Sequence, residues 1–166
     1  MILYIILHQM GCFQVIRSQS LQQEDDLYYV VHNTQIMMAE NKPEVHDYKK
    51  ILDNSNIKFK NLVFRQAILE TNWFKSDIYL ECKNPHGMKR ARIRKTTSVG
   101  TCRGHARYNS IEDAVKDYEL WQSFSMNMYE KKYNQIKTEE QYLTFLLRVG
   151  YAEDRKYINK LRKIIL

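Results

Sequence analysis

Glycine and proline are scarce in this chain, with five and two among 166 residues. Sandwiches and barrels spend both residues on tight turns, so the shortage argues against those plans and favours a compact, mostly helical protein. No apolar run approaches the ~20 residues of a membrane span. Cysteine occurs three times, at Cys12, Cys82 and Cys102. No Cys-x-x-Cys and no Cys/His clustering accompanies them, which leaves zinc coordination without ligands. Acids are missing altogether from one stretch: nothing between Glu81 and Glu112 carries a carboxylate.

That acid-free stretch is rich in cations. Lys83, Lys89, Arg90, Arg92, Arg94, Lys95, Arg103 and Arg107 fall in it, and they contribute much of the net charge of +7. The sequence pI is about 9.2. A basic balance favours an anionic partner: nucleic acid, acidic lipid or an anionic polymer such as cell wall. The run Lys89-Arg90-Ala91-Arg92-Ile93-Arg94-Lys95 would suit nucleic acid, but no nucleic-acid-binding motif accompanies it, so no nucleic-acid partner is expected. Pro85, Gly87, Gly100 and Gly104 interrupt Lys83–Tyr108, which reads as an irregular lobe with a small hairpin through Arg92–Thr96 and His105–Tyr108.

The first twenty residues allow two readings. Ile2-Leu3-Tyr4-Ile5-Ile6-Leu7 is a short apolar block, and Ser18-Gln19-Ser20 offers small residues for cleavage after Ser20. Against a signal peptide, a basic start is lacking and His8, Gln9 and Gln14 interrupt the apolar stretch; the other reading is a mis-started N-terminus. If export removes Cys12, Cys82 and Cys102 form an even pair able to bridge in an oxidising compartment; in the cytosol they are free thiols.

Helical periodicity runs from Glu24 to about Glu40, and a short helix is expected over Glu44–Leu52. Asp53-Asn54-Ser55-Asn56 forms a turn before an apolar helix that ends near Glu70. After the basic lobe, Ser110 can cap a helix with Asp113 answering, and Thr138 can cap another with Gln141 answering. Gly150 stops that helix, and Tyr157, Leu161 and Ile164 mark a short terminal one. The expected division is a candidate signal segment over 1–20, N-terminal helices over 21–56 and a catalytic domain over 57–166.

Glu70 stands out within this plan. Phe59, Val63, Ala67, Glu70 and Phe74 step by three or four, so the carboxylate shares a face with apolar residues. Desolvation disfavours its charged form and raises its pKa. A carboxyl that keeps its proton near neutral pH is what a general acid in glycoside hydrolysis needs. The plain structural alternative is a glutamate at a helix end that simply reaches solvent.

Four blocks in order resemble one family. Gln66-Ala67-Ile68-Leu69-Glu70-Thr71 resembles the signature of the bacterial glucosaminidase family, cell-wall autolysins of lysozyme-like fold. Asn84-Pro85-His86-Gly87-Met88-Lys89 is similar to its Asn-x-x-Gly-hydrophobic-basic motif. Tyr108-Asn109-Ser110 followed by Asp117-Tyr118 is similar to its Tyr-x-Ser…Asp-Tyr block. Gly150-Tyr151-Ala152-Glu153-Asp154 with Tyr157 resembles its closing Tyr-Ala-x-Asp motif, in a short Bacteroides-type form. The resemblance spans Ile57 to Ile164. It implies a mainly α, lysozyme-like α+β fold: a helical bundle around a substrate groove with a small irregular or β-hairpin lobe.

It also implies a peptidoglycan hydrolase that cleaves the β-1,4 bond on the reducing side of N-acetylglucosamine. Glu70 aligns with the catalytic acid and Tyr151 with a tyrosine beside the reacting sugar. Asn84, Tyr108, Trp73 and Asp154 are the candidate substrate contacts, though each has a structural alternative as turn, core or cap residue. No metal or cofactor is expected. The expected partner is the peptidoglycan glycan strand, met by a monomer with no transmembrane span, exported to the periplasm or cell envelope.

Glycoside cleavage usually needs a second carboxyl ~5–9.5 Å from the first. The basic lobe, where the family often places it, has none. Asp77, Glu81 or Asp154 could supply it from elsewhere, or the substrate's own N-acetyl group could act as nucleophile. A non-catalytic glycan-binding module is the alternative function. The lobe's arginines could fork onto stem-peptide carboxylates.

Overall fold

The computed structural model describes residues 43–164. The candidate signal segment, Cys12 and the expected helix over Glu24–Glu40 lie outside these residues. Among the described residues the chain forms α1 (Pro43–Asp53), α2 (Lys60–Thr71), α3 (Asp77–Cys82), β1 (Gly100–Cys102), β2 (His105–Arg107), α4 (Ile111–Glu130), α5 (Glu139–Arg148) and α6 (Tyr157–Lys163). The fold is mainly α with one small antiparallel hairpin, as expected. No described helix is long and apolar enough to cross a membrane.

The centre of the packing is α2. Leu62, Val63, Phe64, Gln66, Ala67, Ile68 and Thr71 are all buried, so apolar groups surround it on most sides. It packs against α1 and α6. Each buried Leu, Ile, Val or Phe contributes about 1.5–3 kcal/mol by leaving water. Beyond Thr71 the chain makes a left-handed turn through three non-glycine residues, Asn72, Trp73 and Phe74, with φ of 47°, 60° and 60°. Such residues cost about 1–2 kcal/mol each, and local bonds hold them. Thr71 Oγ1 donates to the Ala67 carbonyl at 2.6 Å and accepts from the Phe74 amide at 2.8 Å. The Phe74 ring then packs against Tyr48, Phe64 and Tyr79.

Helix caps follow the sequence signals. Thr138 and Gln141 cap each other reciprocally, while Ser110 accepts from the Asp113 amide without the answering bond from the Asp113 side chain that was expected. At the end of α5, Gly150 takes φ of 65°, and the Tyr151 amide reaches back to the Leu146 carbonyl at 3.0 Å. That left-handed glycine closes the helix and aims Tyr151 into the protein.

Two further features differ from the expectation. The six-residue α3, capped by Ser76, was not expected; it is too short to show a helical period. The hairpin pairs Gly100–Cys102 with His105–Arg107, so Arg92–Thr96 is not its first arm. Arg103 and Gly104, both at positive φ, make the two-residue turn that matches strand twist. Arg92–Thr96 instead belongs to an irregular strap, because Arg94 is drawn inward to Asp117. The two form a bidentate pair at 2.7 and 3.1 Å. Asp117 is fully buried and also accepts from the Tyr108 hydroxyl at 2.7 Å and the Thr97 amide at 3.3 Å. Burial alone would raise its carboxyl, but these donors hold it below the usual range.

A disulfide joins Cys82 at the end of α3 to Cys102 in β1, closing a sequence separation of 20 residues. Arg103 adds ion pairs to Asp77 and Glu81 of the same helix. Cross-linking a loop of this size restricts the unfolded chain and stabilises by roughly 3 kcal/mol. Reduction should therefore lower the thermal midpoint of the folded protein substantially, while Cys12→Ser, which leaves the bridge intact, should not reproduce the loss; parallel melts with and without dithiothreitol measure this.

Candidate active site

Glu70 sits on the last turn of α2, half-buried at the floor of a cleft of about 530 Å³. One wall is the strap from Gly87 to Arg94, which carries Lys89, Arg90 and Arg92. Trp121, Phe124 and Ser125 of α4 line the cleft as well, with Val149, Gly150, Tyr151 and Glu153. Charged and aromatic groups therefore share one cleft, the composition that suits a polar ligand with flat apolar faces.

The carboxyl is crowded from one side. A Cβ placed on Gly87 would lie 2.9 Å from Glu70 Oε2, and Gly87 has φ of 61°. Glycine is favoured here by the left-handed backbone, and only its missing Cβ leaves the Glu70 carboxyl where it is. Burial raises the Glu70 pKa, and the Tyr157 hydroxyl partly offsets that rise.

The loop bearing Gly87 is fixed from within. Asn84 is buried and makes four hydrogen bonds. Its Nδ2 donates to the Met88 and Ala106 carbonyls, each at 2.9 Å, and its Oδ1 accepts from the Met88 and His86 amides at 3.0 and 3.3 Å. Tyr151 donates to the His86 carbonyl at 3.0 Å and packs edge-on against Trp121 at 5.0 Å. His86 is buried against Tyr118, with ring centroids 4.2 Å apart, and its Nε2 meets the Tyr48 hydroxyl at 3.1 Å. Burial pushes its pKa down to about 3, which leaves the imidazole neutral.

The structure thus brings Glu70 and Tyr151 together in the cleft and leaves the other four candidates outside its lining. Asn84 lies behind it as the bracket of the Gly87 loop, with every amide hydrogen-bonding position used. Tyr108 is buried, its hydroxyl committed to Asp117. Trp73 packs partly buried against the core. Asp154 precedes α6, where its side chain accepts from the Lys156 amide at 2.8 Å and pairs with Lys160 at 2.7 Å. The carboxylates considered as partners for Glu70 are similarly occupied: Asp77 and Glu81 hold Arg103.

Three lining residues escaped the sequence reading as site residues. Glu153 is the other acid on the cleft wall among the described residues. Capping preference offered a signal, since an Asp just before a helix tends to bind its first amides, which releases the neighbouring glutamate. Trp121 and Phe124 lie on α4, and their spacing gave no reason to separate cleft from core. The described residues contain no cluster of acids, histidines or cysteines able to hold a metal.

Comparison with known proteins adds the following. The family model for Glucosaminidase, described as mannosyl-glycoprotein endo-beta-N-acetylglucosaminidase, matches residues 45–166. Among solved structures, the catalytic domain of the autolysin Auto from Listeria monocytogenes is similar, with 19% identity and a TM-score of 0.47 over 87% of this chain and 91% of that one. No curated protein matched.

Gly87→Ala tests the crowding directly. The added methyl would strain a left-handed backbone by about 1–2 kcal/mol and push the Glu70 carboxyl off its seat. The expected outcome is a modestly lower melting midpoint with a loss of glycan hydrolysis larger than the unfolded fraction explains.

Proposed function

The chain belongs to the glucosaminidase family of glycoside hydrolases, and we propose that it is a peptidoglycan hydrolase with Glu70 as its general acid. The bond cleaved is the β-1,4 link on the reducing side of N-acetylglucosamine. The observation that carries this reading is the setting of Glu70: a carboxyl on the floor of an open cleft, with its pKa raised by burial. A shift in that direction favours the protonated form, the one that can pass a proton to a leaving glycosidic oxygen. Trp121, Phe124 and Tyr151 offer faces on which sugar rings can stack.

The second half of the reaction needs a group that activates water or attacks the sugar. Glu153 also lines the cleft and is the carboxylate we assign to the activation of water. The substrate's acetamido oxygen is the competing nucleophile. The exposed Arg90 and Arg92 would meet stem-peptide carboxylates along the strand. A bridge between Cys82 and Cys102 supports export to an oxidising compartment such as the periplasm or cell envelope.

Glu70→Gln should abolish clearing of cell-wall substrate while the protein stays folded; undiminished clearing would remove Glu70 as the acid, and binding to cell wall without hydrolysis by the parent protein would favour the glycan-binding alternative. The variant also tests the pKa argument. A raised carboxyl contributes stability that is full below its unfolded value of about 4.3 and is lost as pH rises through the folded value. Glu70→Gln should therefore melt higher than the parent at neutral pH, with the difference vanishing below about pH 4.

Glu153→Gln separates the two mechanisms. A fall in turnover of about 100-fold or more fits a general base, and unchanged turnover leaves the acetamido group as nucleophile. Mass analysis of digested peptidoglycan reports the bond: reducing N-acetylglucosamine ends are expected, and reducing N-acetylmuramic acid ends would overturn the assignment.

A further inference from the structure

The active-site cleft is not the protein's only concave surface. A second cavity of about 410 Å³ lies between the end of α4 and α5, in the size range of small-ligand sites. Tyr129, Lys132, Tyr133, Asn134, Gln135 and Arg148 line it, and no acid does.

This cavity continues the cleft along one stripe of α4. Trp121, Ser125 and Tyr129 follow one another at four-residue steps, about one helical turn each, so they share a face. Trp121 and Ser125 line the cleft, and Tyr129 lines the second cavity. Phe145 of α5 packs against both ends of the stripe, with ring centroids 6.0 Å from Trp121 and 5.3 Å from Tyr129. The end of α5 repeats the pattern. Val149 lines the cleft, and its chain neighbour Arg148 lines the cavity. A polymer that leaves the cleft along α4 therefore meets the cavity next.

The charge of the cavity has one sign. The Arg148 guanidinium lies 4.7 Å from the centre of the Tyr133 ring, and Lys132 Nζ lies 5.5 Å from it. One cation comes from α5 and the other from the turn after α4, and they gather at a single ring. Among the described residues no carboxylate pairs with either. The acids nearest in sequence are used elsewhere. Glu130 accepts from the Ile136 amide at 3.0 Å, and Glu140 pairs with Arg162. Glu139 stands in the first turn of α5, at the other end of that helix from Arg148. A cation in the last turn of α5 suits the helix dipole, which accounts for Arg148 alone. The side chains of Asn134 and Gln135 have no partner among the described residues, and Tyr133 is 40% exposed. Cations for a carboxylate, amides for hydroxyls and a ring for an apolar sugar face thus occupy one hollow.

We propose that this cavity is a second glycan-binding site, which holds a carboxylate-bearing sugar of the same strand that occupies the cleft. Arg148 and Lys132 take the carboxylate, and Tyr133 and Tyr129 support the sugar. The inference rests on the reading of the chain as a peptidoglycan hydrolase. A neutral strand offers nothing to the two cations, so the site favours the anionic polymer over N-acetylglucosamine homopolymers. Strand length also gains a role, because a fragment that ends within the cleft never reaches the cavity.

The test uses the full chain carrying Glu70→Gln, so that strands bind without being cut. It is compared with the same chain carrying Arg148→Gln, Lys132→Gln or both in addition. Both side chains are exposed, so neither substitution empties a packed position. Lys137→Gln, at an exposed lysine outside the cavity, controls for the loss of net charge. Calorimetry measures binding of three soluble probes of equal length: peptidoglycan strands with stem peptides, strands stripped of stems, and neutral N-acetylglucosamine oligomers. Arg148→Gln should raise the Kd for anionic strands by about fivefold or more, and the double variant should raise it further. Neutral oligomers should stay within about twofold. The salt dependence of strand binding should fall with the affinity.

A loss confined to stem-bearing strands assigns the carboxylate to the stem, and a loss shared by stripped strands assigns it to the sugar's own lactyl group. Anionic strands bound equally well by the folded double variant overturn the proposal. So does an equal loss in Lys137→Gln or an equal loss of neutral oligomers. If the chain with Glu70→Gln alone binds no strand at all, the peptidoglycan reading itself falls. If that chain still cuts, Glu70 is not the acid, and KM on the same probes then reads the cavity.

Discussion

A carboxyl packed against bare backbone is the constraint on which the rest of this structure depends. Glu70 approaches Gly87 so closely that any Cβ there would displace the carboxyl. That contact keeps water off one side of the carboxyl, and the lost hydration raises its pKa. It also requires the Gly87 loop to hold still. Asn84 supplies this with four hydrogen bonds, one of them to the Ala106 carbonyl of the hairpin. The disulfide pins the hairpin to α3, and Tyr151 ties the far end of the cleft to the His86 carbonyl. Residues that never touch the cleft floor thereby fix the environment of the acid.

Two acids near this cleft receive opposite treatment, and the contrast fits the role proposed for Glu70. Asp117 is fully buried, yet an arginine, a tyrosine and a backbone amide all donate to it, so it stays charged. Glu70 has burial with a single tyrosine hydroxyl to offset it. The pair follows a general rule: environments that push two carboxyls apart in pKa separate a structural anion from a proton donor. Arg94 is also absorbed by this arrangement. It belongs to the run of cations from Lys89 to Lys95, but it spends its charge inward and fastens the cleft wall to α4.

The helical elements were legible because their signals are local. Ser110, Thr138 and Gly150 each mark a helix end through bonds within a few residues, and those bonds are present. The apolar face of α2 placed Glu70 with Val63 and Ala67, which are buried as its spacing implies, whereas Phe74 lies beyond the helix end and reaches the core through the left-handed turn. The lobe was less legible. Its hairpin is set by a two-residue turn at Arg103-Gly104 and by a cross-link to α3, partners that Arg92–Thr96 does not share. Site residues failed for a related reason. Asn84 and Tyr108 carry polar groups that face inward, and only the three-dimensional partners, Met88, Ala106 and Asp117, show that those groups are already used. Glu153 was hidden by its neighbour Asp154, since the helix that Asp154 caps had to be located before the two could be told apart.

The cations on the cleft wall raise a last question of consistency, since positive charge near a carboxyl ordinarily lowers its pKa. Arg90 and Arg92 are exposed, and water and salt screen charges in that position over about 8 Å at physiological ionic strength. Burial and the Tyr157 hydroxyl are what shift Glu70. Arg94, the cleft-wall arginine that is nearly buried, is neutralised by Asp117. The wall can therefore present positive charge to an anionic polymer without drawing the proton off the acid beneath it. That separation depends on Asp117: without it, an unpaired and poorly hydrated guanidinium would be left in the wall beside the cleft, where its field is screened least.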